Sequence, residues 1–178
     1  YPDIYKMQVQ AIIEATINVK KKGIKVLPEI MIPLIGTVGE MELLKKEVET
    51  TANSILAENG TKMNYKIGTM IEIPRAALTA DQIARHAEFF SFGTNDLTQM
   101  AFGYSRDDVG SFVPKYTQLG ILEKDPFQVL DQSGIGQLVQ IGIQKGRQTR
   151  ADLKIGICGE HGGEPSSIEF CHRNNMDY

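Results

Sequence analysis

Tryptophan is absent from this 178-residue chain, and cysteine nearly so, with Cys158 and Cys171 the only two. Two thiols cannot frame a disulfide-stapled domain, so a reducing setting is expected: the cytoplasm, or an organelle such as a plastid. Nothing resembles a secretory signal, and no apolar run reaches the ~20 residues of a membrane span. A basic excess is also missing. The formal net charge is -3, and the one basic run, Lys20–Lys22, falls where a helix should end and its dipole favours cations. A general nucleic-acid surface is therefore not expected. The cysteines lack the C-x-x-C spacing of a zinc site, and no G-x-S-x-G follows a strand as a hydrolase triad would require.

Alternation is what the chain does have. MQVQAIIEATINVKKKG (7–23) carries apolar residues at helical spacing and stops at Gly23. IKVLPEIMIPLIG (24–36) reads as a strand covered on both faces. A long amphipathic helix is expected over 37–60, opened by the capping-box pair Thr37 and Glu40 and closed by Asn59 and Gly60. Strands are expected at 66–73, 88–93 and 153–159, with a short helix after the first and a polar loop after the second. A helix should fill most of 126–149, and another 166–175 with Ser166 as its cap. Four strand–helix alternations make an α/β fold with a parallel sheet. A complete eight-unit barrel needs about 250 residues. That leaves a small doubly wound sheet or part of a barrel, and the opening at Tyr1 in mid-helix sequence suggests a piece of something longer.

In either fold, ligands bind at the carboxyl ends of the strands. Glu72 stands at one such end, Thr94, Asn95 and Asp96 at the next, and Cys158, Gly159, Glu160 and His161 at the last. Each has a plain alternative. Asp96 can be an N-cap, Glu72 a structural ion pair, Cys158 a small buried hydrophobe and His161 a loop residue. His86 and His172 fall on expected helices, where they pack or face solvent. Together the positions point further. Two carboxylates at neighbouring strand ends suit a hard cation such as Mg2+, which takes one or two carboxylates plus water and substrate oxygens. Gly93 and Thr94 offer backbone N–H groups to an anion, Asn95 offers an amide, and a thiol across the mouth can deliver a proton. The residues alone suggest a Mg2+-dependent enzyme acting on a small anionic carboxylate.

Four segments carry a family resemblance: EIMIPLIGTVGE (29–40), GTMIEIPRAAL (68–78), FFSFGTNDLTQMAFGYSRDD (89–108) and GICGEHGGEP (156–165). In order and spacing they resemble the C-terminal PEP/pyruvate-binding barrel of the phosphoenolpyruvate (PEP)-utilising enzymes, from about Ile24 to the end. The IEIP-like and GTNDL-like signatures are common to that family. EHGGEP and the FVPKY…LEKDPFQVLD passage (112–131) resemble its dikinase branch in particular.

The resemblance implies a (β/α)8 TIM-type barrel of which residues 1–178 form the C-terminal half. The nucleotide-binding and phosphohistidine domains would lie outside the chain. It also implies a phosphotransferase reaction, ATP + pyruvate + phosphate = AMP + PEP + diphosphate, carried by a phosphohistidine on another domain of a homodimeric full-length enzyme. Matched to the motifs, Glu72 and Asp96 become the Mg2+ ligands. Glu72, Gly93, Thr94, Asn95 and Asp96 line PEP or pyruvate, and Cys158 protonates the enolate carbon. None of the six arginines, Arg75, Arg85, Arg106, Arg147, Arg150 and Arg173, matches the family's substrate arginines, so the isolated chain is expected to be inactive. Three rival readings remain: a PEP synthase-type enzyme, a non-catalytic half-barrel association module, and a Mg2+ aldolase or lyase. The last leaves the thiol unexplained.

Overall fold

The computed structural model describes residues 1–178. Helix α1 (Pro2–Lys21) starts with proline at its first turn, ends on Lys20 and Lys21, and buries Val9, Ile13 and Ile17. Strand β1 is Glu29–Ile32, much shorter than the run 24–36 predicts. Pro28 and Pro33 flank it, and neither has the N–H that a ladder needs. Only one of its faces is covered: Ile30 and Ile32 are buried, while Glu29 and Met31 are exposed.

Helix α2 (Val38–Glu58) has the predicted capping box. The Thr37 hydroxyl accepts the Glu40 N–H at 3.3 Å and the Glu40 carboxylate accepts the Thr37 N–H at 2.8 Å. Strand β2 (Lys66–Ile71) is followed by two short helices, α3 (Pro74–Leu78) and α4 (Ala80–Ile83), in place of one. After β3 (Phe89–Gly93) the predicted loop is a helix, α5 (Thr94–Phe102). A short helix α6 (Val113–Gln118) precedes α7 (Ile135–Thr149). Helix α7 begins later than its sequence suggests because the Asp131 carboxylate accepts the N–H groups of Ser133, Gly134 and Ile135 and turns the chain there. Strand β4 (Lys154–Cys158) leads through a 3-10 turn, Glu160–Gly163, to α8 (Pro165–Arg173). The cap of α8 is Glu164, not Ser166: its carboxylate accepts the N–H groups of Ser166 and Ser167.

The four strands are parallel and adjacent in chain order, β1-β2-β3-β4. The order never reverses, so the sheet has no switch point of the doubly wound kind. Helix α1 packs on α2, α2 on α4 and α4 on α7, which makes a continuous helical layer. Two rings of β3 fix α7 to the sheet. A methyl group at Gly142 would stand 2.9 Å from the Phe92 ring, and one at Gly146 2.8 Å from the Phe90 ring, so these glycines are notches for the two phenylalanines. Successive strand residues point to opposite faces. Ser91 and Gly93 therefore project from the other face, as do Glu29 and Lys154 by register. On that face Lys154 Nζ lies 2.8 and 3.0 Å from the Glu29 carboxylate oxygens. These residues sit on the two edge strands, about 14 Å apart in a flat four-stranded sheet. A sheet curled toward this face lets them meet. No helix is long and apolar enough to cross a membrane.

Two outcomes test this packing. Gly146→Leu forces a side chain into the Phe90 and Leu153 contact and should destabilise the protein by about 1–3 kcal/mol, read as a lowered thermal midpoint. Hydrogen bonds from Ser167 and Ser166 hold the Glu164 carboxyl at about 2, below its ordinary value. Because the folded value is depressed, the cap's stabilisation is full above about pH 4.3 and is lost as pH falls toward 2. Acid titration of Glu164→Gln should lack that part of the wild-type stability loss.

Candidate active site at the strand ends

The carboxyl ends of β2, β3 and β4 lie side by side, and they bring the predicted site residues together. Glu72 follows β2 directly and is only 2% exposed. Its Oε1 accepts the Leu34 N–H at 2.6 Å. Leu34 reaches that position with φ 57, a left-handed conformation rare outside glycine and asparagine. The other oxygen, Oε2, lies 2.5 Å from where a Cβ on Gly93 would stand. Gly93 is thus glycine because the Glu72 carboxylate fills its side-chain space. Burial raises the Glu72 pKa above the ordinary carboxylate value, the Leu34 hydrogen bond opposes this, and the neighbouring Asp96 charge adds to it.

Asp96 comes from the next strand end. Helix α5 starts at Thr94, so Thr94, Asn95 and Asp96 form its first turn and Asp96 is not an N-cap. The cap position is Gly93, which offers no side-chain acceptor. The N–H groups of a first helical turn have no partner within the helix, and the dipole there favours anions. Asn95 packs against β4's end: Gly159 has φ 95 and ψ -176, a region nearly restricted to glycine, and a Cβ there would meet the Asn95 amide oxygen at 2.8 Å.

Cys158 ends β4, directly opposite Gly93 in the ladder. Its Sγ lies 3.5 Å from the Phe92 carbonyl oxygen, to which the thiol donates. Cys171 belongs to the hydrophobic core, whereas Cys158 is half-buried and lies outside it. Burial pushes the Cys158 thiol up, the nearby Ser91 hydroxyl opposes that, and the charges of Glu72 and Asp96 push it up further. The same two carboxylates that face each other therefore also face the thiol.

No three His, Cys, Asp or Glu side chains are grouped so that all of them could hold one metal ion. A cation at this rim would rest on Glu72 and Asp96 and on oxygens from water or substrate, the donor set Mg2+ prefers. Burial raises Glu72 first and the Asp96 charge adds to it, and a cation placed between the two carboxylates would relieve that second cause.

The sequence missed three participants. Leu34 carries no local signal for a left-handed turn. Arg106 forms an ion pair with Glu160, two residues beyond Cys158, at the rim. His161, read as a loop residue, is wholly buried and hydrogen-bonded through both ring nitrogens, to Thr94 and to Pro126. Of the other histidines, His172 is exposed on α8 and His86 lies in the turn after α4.

The whole chain, residues 1–178, matches the family model described as PEP-utilising enzyme, PEP-binding domain. It is 60% identical to the pyruvate, phosphate dikinase of Clostridium symbiosum and 56% to the chloroplastic enzyme of Mesembryanthemum crystallinum. Against pyruvate, phosphate dikinase 2 of Zea mays the identity is 57%. Each alignment covers all of this chain but only 20%, 19% and 20% of the relative, so the chain spans about a fifth of their length. With the full-length family match and these identities added to three converging strand ends, the chain belongs to the PEP-utilising enzymes, with the PEP-binding domain as the part it represents.

Proposed function

We propose that residues 1–178 are part of the C-terminal PEP/pyruvate-binding domain of a pyruvate, phosphate dikinase, an enzyme that interconverts ATP, pyruvate and phosphate with AMP, PEP and diphosphate. The observation that carries this reading is the meeting of Glu72, Asp96 and Cys158 at three adjacent strand ends. A binding-only module has no use for a carboxylate pair, one member buried, with a thiol beside it. The same triad disfavours an aldolase or lyase, which would employ the carboxylates but not the thiol. The PEP synthase reading shares the site, and the dikinase identities of 56–60% over the whole chain argue for the dikinase instead.

We also propose that the sheet is the C-terminal half of a (β/α)8 barrel. An unreversed parallel order, helices joined into one layer, and the Glu29–Lys154 pair across the helix-free face all fit a barrel wall. The remaining strands, the nucleotide-binding domain and the phosphohistidine carrier belong to the full-length enzyme, proposed here as a homodimer of the cytoplasm or a plastid. On this reading the chain alone does not turn over.

The chemistry assigns each residue a task. Glu72 and Asp96 would hold Mg2+, which supplies positive charge to the oxygens of bound PEP or pyruvate. The first turn of α5, with Gly93 bare at its cap, directs N–H groups toward the substrate's anionic end, and Asn95 adds an amide donor. Leu34 holds Glu72 in a single pose. When the phosphoryl group leaves PEP for the carrier histidine, pyruvate remains as its enolate. The Cys158 S–H bond then breaks, its proton forms the new C–H bond at the methylene carbon, and a thiolate remains. In reverse, the thiolate takes a methyl proton from pyruvate. Burial and the flanking carboxylates keep the thiol protonated, the form a donor needs.

The deciding measurement is exchange of the pyruvate methyl protons for deuterium, followed by NMR in the full-length enzyme with Mg2+ present. Cys158→Ala should lower the rate by about 100-fold or more while leaving metal affinity intact. Persistent exchange would return the thiol to a packing role. Glu72→Gln keeps the acceptor for Leu34 and removes the charge, so Mg2+ affinity measured by calorimetry should fall by at least about 10-fold. An affinity equal to wild type would remove Glu72 from the metal site.

A further inference from the structure

We propose that His161 is a positioning residue for this site, fixing the Thr94 side chain and so the substrate-facing turn of α5; the inference rests on the dikinase reading above. His161 occupies the 3-10 turn after β4, three residues beyond Cys158, and is fully enclosed. Its Nε2 lies 2.9 Å from the Pro126 carbonyl oxygen and its Nδ1 2.7 Å from Thr94 Oγ1. A carbonyl can only accept, so Nε2 carries the hydrogen. Burial holds the ring below its ordinary pKa, which favours the neutral form. Nδ1 is then bare, and the Thr94 hydroxyl must be the donor.

The hydroxyl's one proton is therefore committed to His161. Thr94 cannot donate it to substrate, and its contribution there is made by the main chain. In exchange the side chain is fixed at the first position of α5, itself fully buried, and with it the turn that carries Asn95 and Asp96. The ring spans three pieces of chain: the end of β4 with Cys158, the start of α5 with the metal carboxylate Asp96, and the 119–134 segment through Pro126. Thr94 directly follows β3, whose last residue Gly93 pairs with Cys158 on β4. The His161 bond thus sets the distance between the proton donor's strand and the turn that orients the carbon to be protonated. A shift of about 1 Å in such a relation lowers rate by about 100-fold without abolishing binding.

Two substitutions separate the two bonds. In His161→Gln the amide reaches the place of Nε2 and can still donate to Pro126, but no acceptor faces Thr94. In His161→Asn the carbonyl oxygen stands near the place of Nδ1 and can accept the Thr94 hydroxyl, but the Pro126 bond is lost. Methyl-proton exchange of pyruvate in the full-length enzyme is measured for both, for Thr94→Val, and for His161→Gln with Thr94→Val combined. His161→Gln and Thr94→Val should each lower kcat of exchange by about 10- to 100-fold with KM within about threefold of wild type. The double variant should be no slower than the slower single, because the two residues act as one unit. His161→Asn should recover exchange to within about threefold of wild type while losing thermal stability. If His161→Asn fails to fold, Thr94→Val, which keeps the shape of the residue, carries the test. Wild-type kcat in both His161→Gln and Thr94→Val would overturn the inference alone. A wild-type enzyme with no Mg2+-dependent exchange would overturn the dikinase reading and this inference with it.

Discussion

A carboxylate that is 2% exposed at the end of a strand is the constraint around which this structure is arranged. Withdrawing Glu72 from water carries a penalty of several kcal/mol unless partners replace the water. One partner is the Leu34 N–H, delivered by a left-handed residue that itself costs of order 1 kcal/mol. Another accommodation is Gly93, whose missing side chain is the space the second oxygen occupies. Asp96 nearby makes matters worse by charge. Two departures from local preference thus serve one side chain, and a neighbouring charge opposes it. That pattern has no explanation in stability. It fits the cation site proposed above, where two carboxylates already in place would need little rearrangement to receive the ion.

The same strand that brings Gly93 to Glu72 also fixes the rim in place, because of the two-residue period of β structure. In β3, Phe90 and Phe92 point into the notches of α7 while Ser91 and Gly93 point the other way, toward Tyr178, Cys158 and Glu72. All five residues of the strand are buried. The anchoring and the chemistry are alternate positions of one five-residue segment. A register slip would exchange them, so the rings that seat α7 also specify which atoms face the rim at the strand ends.

Patterns confined to one stretch of chain were readable before the structure. The alternation, the parallel sheet, the Thr37–Glu40 box and the placing of Glu72, Asp96 and Cys158 at successive strand ends all follow from local sequence. Features set by distant partners were not. Strand β1 is trimmed by its flanking prolines to four residues. Asp131 delays α7, and Glu164 outcompetes Ser166 as a cap because a carboxylate can accept two N–H groups at once. The polar letters T-N-D suggested a loop, yet they form a helical first turn: an uncapped start leaves N–H groups free where an anion is wanted. The polarity marked the residues that the fold brings to the strand ends, but it misread their backbone.

His161 was the least legible residue, and the reason is physical. A histidine in a glycine-rich stretch has no periodicity around it, so its environment comes wholly from Thr94, 67 positions away, and Pro126, 35 away. Those partners matter to how the family likeness is divided. GTNDL and IEIP resemble the family at large and hold the carboxylates. EHGGEP and LEKDPFQVLD resemble the dikinase branch, and His161 and Pro126, one from each, are joined by a buried hydrogen bond. The stretches that resemble the dikinase branch are therefore not scattered over the fold. These segments lie behind the strand-end residues and touch them at Thr94, the contact through which His161 is proposed to position the first turn of α5.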